Sequence, residues 1–139
     1  MSDSPADGPP PPALGAIEWC DLTVPDAAAL RPFYEQVVGW QVSEHSMGDY
    51  ADFVLSGEGG AAAGLCHARG ANANLPAQWL LYVRVADVDA SARRCEELGG
   101  RVLDGPRPMG DLRFCAVQDP QGACLALIAD EPASDSRKD

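Results

Sequence analysis

The chain has 139 residues, 46% of them hydrophobic, which fits one domain with a core of its own. A formal net charge of −11 opposes phosphate backbones and anionic membrane surfaces, so neither nucleic acid nor membrane is expected as a partner. No apolar run reaches the roughly 18 residues of a membrane helix, and the N-terminus lacks the basic and apolar regions of an export signal.

Residues 1–14 hold a four-proline run among small and acidic residues, and the pattern predicts a disordered tail. Residues 16–24 are rich in β-branched and aromatic residues and predict a strand. Asp26 then stands where a carboxylate caps a helix. Leu30, Phe33, Val37 and Val38 recur at helical spacing and predict one apolar face, and Gly39 predicts its end. Pro32 interrupts this helix and predicts a kink, or a start near Arg31. Short strands follow near 40–45, 50–56 and 61–68, separated by glycines, and 69–77 reads as a linking loop.

The same order then returns. A strand is expected at 79–85, a helix capped by Asp87 runs to Leu98, and Gly99-Gly100 ends it. Strands near 101–104, 112–118 and 123–129 follow, the last two joined by a turn at Asp119-Pro120-Gln121-Gly122. Residues 131–139 read as a flexible polar tail. An offset of 61 superposes Val24 on Val85, Asp26 on Asp87, Gly39 on Gly100 and Phe53 on Phe114. An offset of 62 superposes Gly60 on Gly122 and Leu65 on Leu127. This is a duplicated βαβββ unit, at about 15–68 and 78–130, within a single domain over 15–130. The fold class is α+β, with helices on one face of a curved mixed sheet and a concave pocket on the other.

Val24-Pro25-Asp26, Phe33-Tyr34, Gly39-Trp40 and Asp119-Pro120-Gln121-Gly122 together resemble the vicinal oxygen chelate superfamily of glyoxalases, bleomycin-resistance proteins and extradiol dioxygenases. Enzymes of that family hold a divalent metal on the first and last strands of each unit. The resemblance places those positions at Trp19, Leu80, about Gly64 and about Ala126. None of these carries an imidazole, carboxylate or thiolate, so no metal and no other cofactor is expected. Glu18 is one residue away, but a one-residue slip turns a strand side chain to the opposite face.

Candidate ligand-binding residues are Trp19, Asp21, Tyr50, Cys66, His67, Trp79 and Tyr82. Asp21 alternates with Trp19 and so faces the concavity, where a carboxylate needs a partner: Arg84, Arg113 or a polar group of a ligand. Cys66 shares a face with Gly64, and His67 points the other way on an ideal strand. Trp19, Tyr50, Trp79 and Tyr82 offer aromatic walls, although Trp79 and Tyr82, three apart, cannot both face inward. The expected function is metal-free binding of a small apolar or aromatic molecule. The alternative is an enzyme of the same superfamily, either with displaced metal ligands or using His67, Cys66 and Asp21 in metal-free acid–base chemistry. Five cysteines without a CxxC pair or export signal point to reduced thiols and a cytoplasmic location. A homodimer is the expected assembly.

Overall fold

The computed structural model describes residues 13–132. The expected tails therefore fall almost entirely outside the described residues. The elements are β1 (Ile17–Val24), α1 (Ala27–Val37), β2 (Gln41–Ser46), β3 (Ala51–Gly57), β4 (Gly60–His67), β5 (Trp79–Arg84), α2 (Val88–Glu97), β6 (Arg101–Met109), β7 (Leu112–Gln118) and β8 (Cys124–Asp130). A 3-10 turn at Gly70–Asn72 lies in the linking loop. The eight strands form one sheet in the order β2-β3-β4-β1-β5-β8-β7-β6. β1 pairs with β4 and β5 with β8 in parallel, and the antiparallel β1–β5 pair joins the two units within one chain.

The caps form as the sequence implies. The Asp26 side chain accepts from the Ala29 N–H at 3.0 Å and Asp87 from the Ala90 N–H at 3.1 Å. α1 starts directly after its cap and continues through Pro32. Ala28, whose carbonyl loses its helical partner there, is exposed, so no buried acceptor is orphaned. The packed stripe of α1 is Ala27, Leu30 and Tyr34, whereas Phe33, Val37 and Val38 are exposed. Two apolar stripes overlap on this helix, and only the contact of Tyr34 with Trp40 and Trp79 on the sheet side selects between them.

Three other expectations shift. β6 runs to Met109 through Pro106 and Pro108 rather than stopping near residue 104. It is the last strand of the sheet and carries two register shifts against β7, and such an edge tolerates missing backbone donors. The residue matching Gly39 (φ +86°) is Gly99 (φ +98°), not Gly100. Finally, Phe53 pairs with Leu65 while Cys115 pairs with Leu127, so the counterpart of Phe53 is Cys115. The counterpart of Asp52 is then Phe114.

The core has three parts. Leu22, Phe53, Leu55 and Leu65 pack under α1, and Cys115, Val117, Leu127 and Ala129 pack under α2. The third cluster, Leu80, Tyr82, Phe114, Ala116, Ala126 and Ile128, lies on the opposite, concave face of the second unit, and Leu75 from the linking loop packs onto it. No helix among the described residues is long and apolar enough to cross a membrane.

Candidate functional site

The concave face carries the side chains that alternate away from the helices. In the first unit these are Trp19, Asp21 and Thr23 on β1, Asp52 on β3, and Gly64 and Cys66 on β4. In the second they are Leu80 and Tyr82 on β5, Phe114 and Ala116 on β7, and Ala126 and Ile128 on β8. The two halves of the duplication have diverged: one is polar, the other apolar.

Asp21 stands at the junction. Its Oδ1 accepts a hydrogen bond from Trp19 Nε1 at 2.6 Å. Burial pushes the carboxyl above its ordinary range; hydrogen bonding from Trp19 and Tyr82 opposes this, and the nearby Asp52 adds to it. Asp21 is paired in register with Gly64. A Cβ built on Gly64 would come within 2.1 Å of Asp21 Oδ1 and 3.2 Å of its Cγ. The space that a side chain at position 64 would need is therefore filled by a carboxyl group from the neighbouring strand.

This arrangement bears on the metal implied by the resemblance. Trp19, Gly64, Leu80 and Ala126 supply no donor atom of the required kind. Among the described residues, no group of three His, Cys, Asp or Glu side chains could hold a metal ion. The residues present do not fit a divalent cation. Glu18 does leave its expected face, because a register shift lies between Ile17 and Trp19. However, it binds Arg84 through two hydrogen bonds of 2.6 and 3.1 Å, and Arg84 also reaches Asp130 at 3.0 Å. Arg113 is bound to Asp89 at 3.0 and 3.1 Å. Neither arginine is the partner of Asp21, which accepts from the Trp19 ring N–H instead.

The second cluster lies at the end of β4. Asp52, buried, accepts from the backbone N–H of His67 at 2.8 Å, and the same oxygen lies 3.2 Å from His67 Nδ1. Tyr50 packs edge-on against the His67 ring with centroids 5.4 Å apart, and the Arg69 guanidinium covers Tyr50 at 4.0 Å. Cys66 is half-buried, and its thiol is pushed far up by burial, then by the Asp21 and Asp52 carboxyls. It is a packed thiol, not a thiolate nucleophile. Tyr82 is buried, and burial together with Asp21 raises its hydroxyl as well.

The structure thus gathers Trp19, Asp21, Cys66 and Tyr82 on one face, whereas His67 takes the opposite parity at the end of β4, where its ring meets Tyr50 and, from the helix-side cluster, Phe53. It separates Trp79 from the first four. Trp79 lies in register with Leu22 and packs under α1 against Tyr34 at 5.3 Å and Trp40 at 5.8 Å. It is a core residue of the helix side, because Tyr82 takes the inward parity of β5. Sequence reasoning missed Asp52, whose signal was a lone acid inside the apolar strand 51–57. It also missed the rim of the apolar half. There Arg107 binds Asp104 at 2.9 and 3.0 Å, reaches Asn72 of the linking loop at 3.3 Å, and covers Phe114 at 4.8 Å. A cleft of about 560 Å³ at the N-terminal end of α2 is lined by Asp87, Asp89, Arg93, Arg113 and Glu131. Its Arg113 is already bound by Asp89, and its apolar residues, Ala86, Val88, Ala129 and Pro132, include no aromatic ring.

Comparison with known proteins adds three findings. The family profile described as Glyoxalase/Bleomycin resistance protein/Dioxygenase superfamily matches residues 16–127. Anthracycline biosynthesis protein DnrV of Streptomyces peucetius is 34% identical over 129 residues, which is 83% of this chain and 47% of that protein. Putative glyoxylase CFP32 of Mycobacterium tuberculosis is 32% identical over 118 residues, 81% of this chain and 45% of that protein. The chain therefore spans about half the length of the curated relatives it matches. Among solved structures, Streptomyces coelicolor methylmalonyl-CoA epimerase with 2-nitronate-propionyl-CoA superposes with a TM-score of 0.52 at 23% identity, covering 86% of this chain and 97% of that one. The Mycobacterium tuberculosis epimerase gives 0.51 at 20% identity, covering 85% and 89%. These structural likenesses establish the fold.

Proposed function

The chain belongs to the glyoxalase/bleomycin resistance protein/dioxygenase superfamily, and on that footing we propose that it binds a small, largely apolar aromatic molecule on its concave face without a divalent metal. The observation that carries this reading is the Asp21 carboxyl, clamped by Trp19 in the space in front of Gly64. A carboxyl in that place supplies hydrogen bonding where the resemblance implies a cation. The apolar second half of the face is packed core, with Phe114 0% and Tyr82 4% exposed, so the part open to a ligand is the polar first half beside the half-buried Trp19 ring, which suits an aromatic ligand with a polar edge. One relative is named for anthracycline biosynthesis, a route to a fused-ring aromatic, which agrees with that ligand class.

A second reading, metal-free acid–base catalysis, is favoured by the same group. Burial raises the Asp21 carboxyl from its ordinary range, the direction in which a general acid is tuned. Two further proposals accompany the site. Five free cysteines favour a reducing, cytoplasmic setting. A homodimer is the commonest assembly, and exposed Phe33 and Val37, one turn apart on α1, offer apolar surface for it.

The test is metal content by plasma mass spectrometry, before and after incubation with zinc, nickel, manganese and ferrous iron, followed by a screen of aromatic compounds by tryptophan fluorescence. Trace metal and a ligand whose signal disappears in Trp19→Phe are the expected results. Near-stoichiometric metal, or a full signal in that variant, would sink the proposal.

A further inference from the structure

The cleft at the N-terminal end of α2 is separate from the concave face, and the binding proposal leaves it unused. Its volume is about 560 Å³, and four carboxylates, Asp87, Asp89, Asp130 and Glu131, line it beside two guanidiniums, Arg93 and Arg113. Asp87, Asp89 and Asp130 are already engaged. Asp87 accepts from the Ala90 N–H at 3.1 Å, Asp89 holds Arg113 at 3.0 and 3.1 Å, and Asp130 accepts from Arg84 at 3.0 Å.

Glu131 is the exception. Its Oε1 is shut off from water and meets no donor among the described residues. Its Oε2 stands 4.0 Å from Arg113 Nη1, beyond hydrogen-bond reach. A carboxylate oxygen out of water without a donor is costly, so the group calls for a partner. The side chain as a whole is 33% exposed, and it lines the cleft. Its terminal torsion is soft and two-fold, so a half-turn exchanges the two oxygens. The unmet acceptor is therefore within reach of a donor that enters the cleft.

The surroundings narrow the class of donor. The excess of carboxylates over guanidiniums favours a cation. No group of three His, Cys, Asp or Glu side chains among the described residues could hold a metal ion. Quaternary ammonium groups are recognised by aromatic cages, and none of the described residues lining the cleft is aromatic. A primary ammonium needs no ring, because its N–H groups donate directly to carboxylates. Exposed Ala86 and Pro132 offer apolar surface for a short stem.

We infer that this cleft is a second ligand site, which takes a primary alkylammonium group through Glu131. The inference is independent of the aromatic-binding reading.

The test is titration of the nitrogen-15-labelled full chain at constant ionic strength, followed by amide NMR shifts. The probes are n-butylammonium, butyltrimethylammonium with the same charge and no donor, and 1-butanol with the same stem and no charge. Saturable shifts at residues 86–89 and 129–131 are expected from n-butylammonium alone, in the millimolar range of a small ligand. Glu131→Gln is expected to weaken them at least roughly 10-fold, the value of a hydrogen bond to a charged group. A full response in that variant overturns the inference. So does the absence of a saturable response in wild type, or an equal response to either control, and neither of these depends on the variant folding. Saturation that appears only when Arg137→Gln and Lys138→Gln are combined also overturns it, because the chain's own cations then fill the cleft. Nα-acetyllysine methylamide separates the two sources of such a group. Binding equal to that of n-butylammonium assigns the site to a lysine side chain, and weaker binding assigns it to a free amine.

Discussion

Replacing Gly64 with alanine is the sharpest probe of the Asp21 clamp. Gly64 has no positive φ, so alanine in this strand would ordinarily stabilise by about 0.4–1 kcal/mol through the unfolded chain. Here the new Cβ would stand 2.1 Å from Asp21 Oδ1, a distance no side chain tolerates. Either the strands move apart or the carboxyl swings away and its bond from Trp19 Nε1 breaks. Overpacking costs about 1–3 kcal/mol, and loss of a hydrogen bond to a charged group about 1.5–3 kcal/mol. Set against the gain through the unfolded chain, a net destabilisation of roughly 1–2.5 kcal/mol is expected, read from urea melts. The geometry also predicts the rescue. Asp21→Ala removes both atoms that clash, and the next contact of the new Cβ is Trp19 Nε1 at an ordinary 3.5 Å. In the Asp21→Ala background, Gly64→Ala should therefore cost nearly nothing, a coupling of about 2 kcal/mol in the double-mutant cycle. Additive single effects, or Gly64→Ala within about 0.5 kcal/mol of wild type, would refute the clamp.

The remaining predictions concern the same face. Because burial raises the Asp21 carboxyl in the folded state, the native chain binds more protons there than the unfolded chain once pH passes the ordinary value of 3.8. That group's contribution to stability then falls as pH rises from there to its raised folded value. Asp21→Asn should gain on wild type across this window in urea melts at successive pH values; a constant difference would contradict it. Cys66, with its thiol raised by burial, should resist iodoacetamide at pH 8 until urea unfolds the chain, as followed by peptide mass spectrometry. Leu75→Ala should cost about 2–3 kcal/mol, because this loop residue is 8% exposed and packs into the apolar half of the face. A cost near zero would place the loop off the cluster.

The duplicated unit, both helix caps and the helix-ending glycine turns were legible in the sequence because each is local. A carboxylate three residues before an N–H, or a turn that suits glycine, needs no distant partner. The inward parity of Trp19, Asp21 and Tyr82 was legible for the same reason, since alternation along one strand is a matter of neighbours. Partners across strands were not. Asp52 meets His67 from 15 residues away, and Arg84 meets Glu18 across 66, through registers and a bulge that no periodicity encodes. Trp79 went to the helix side because its strand could offer only one of two aromatic residues inward, and pairing with Leu22 made the choice. The filling of the metal position by Asp21 also belongs to the tertiary structure. Sequence showed that Gly64 brings no ligand, but only the parallel pairing of β1 with β4 put a carboxyl into the space it leaves.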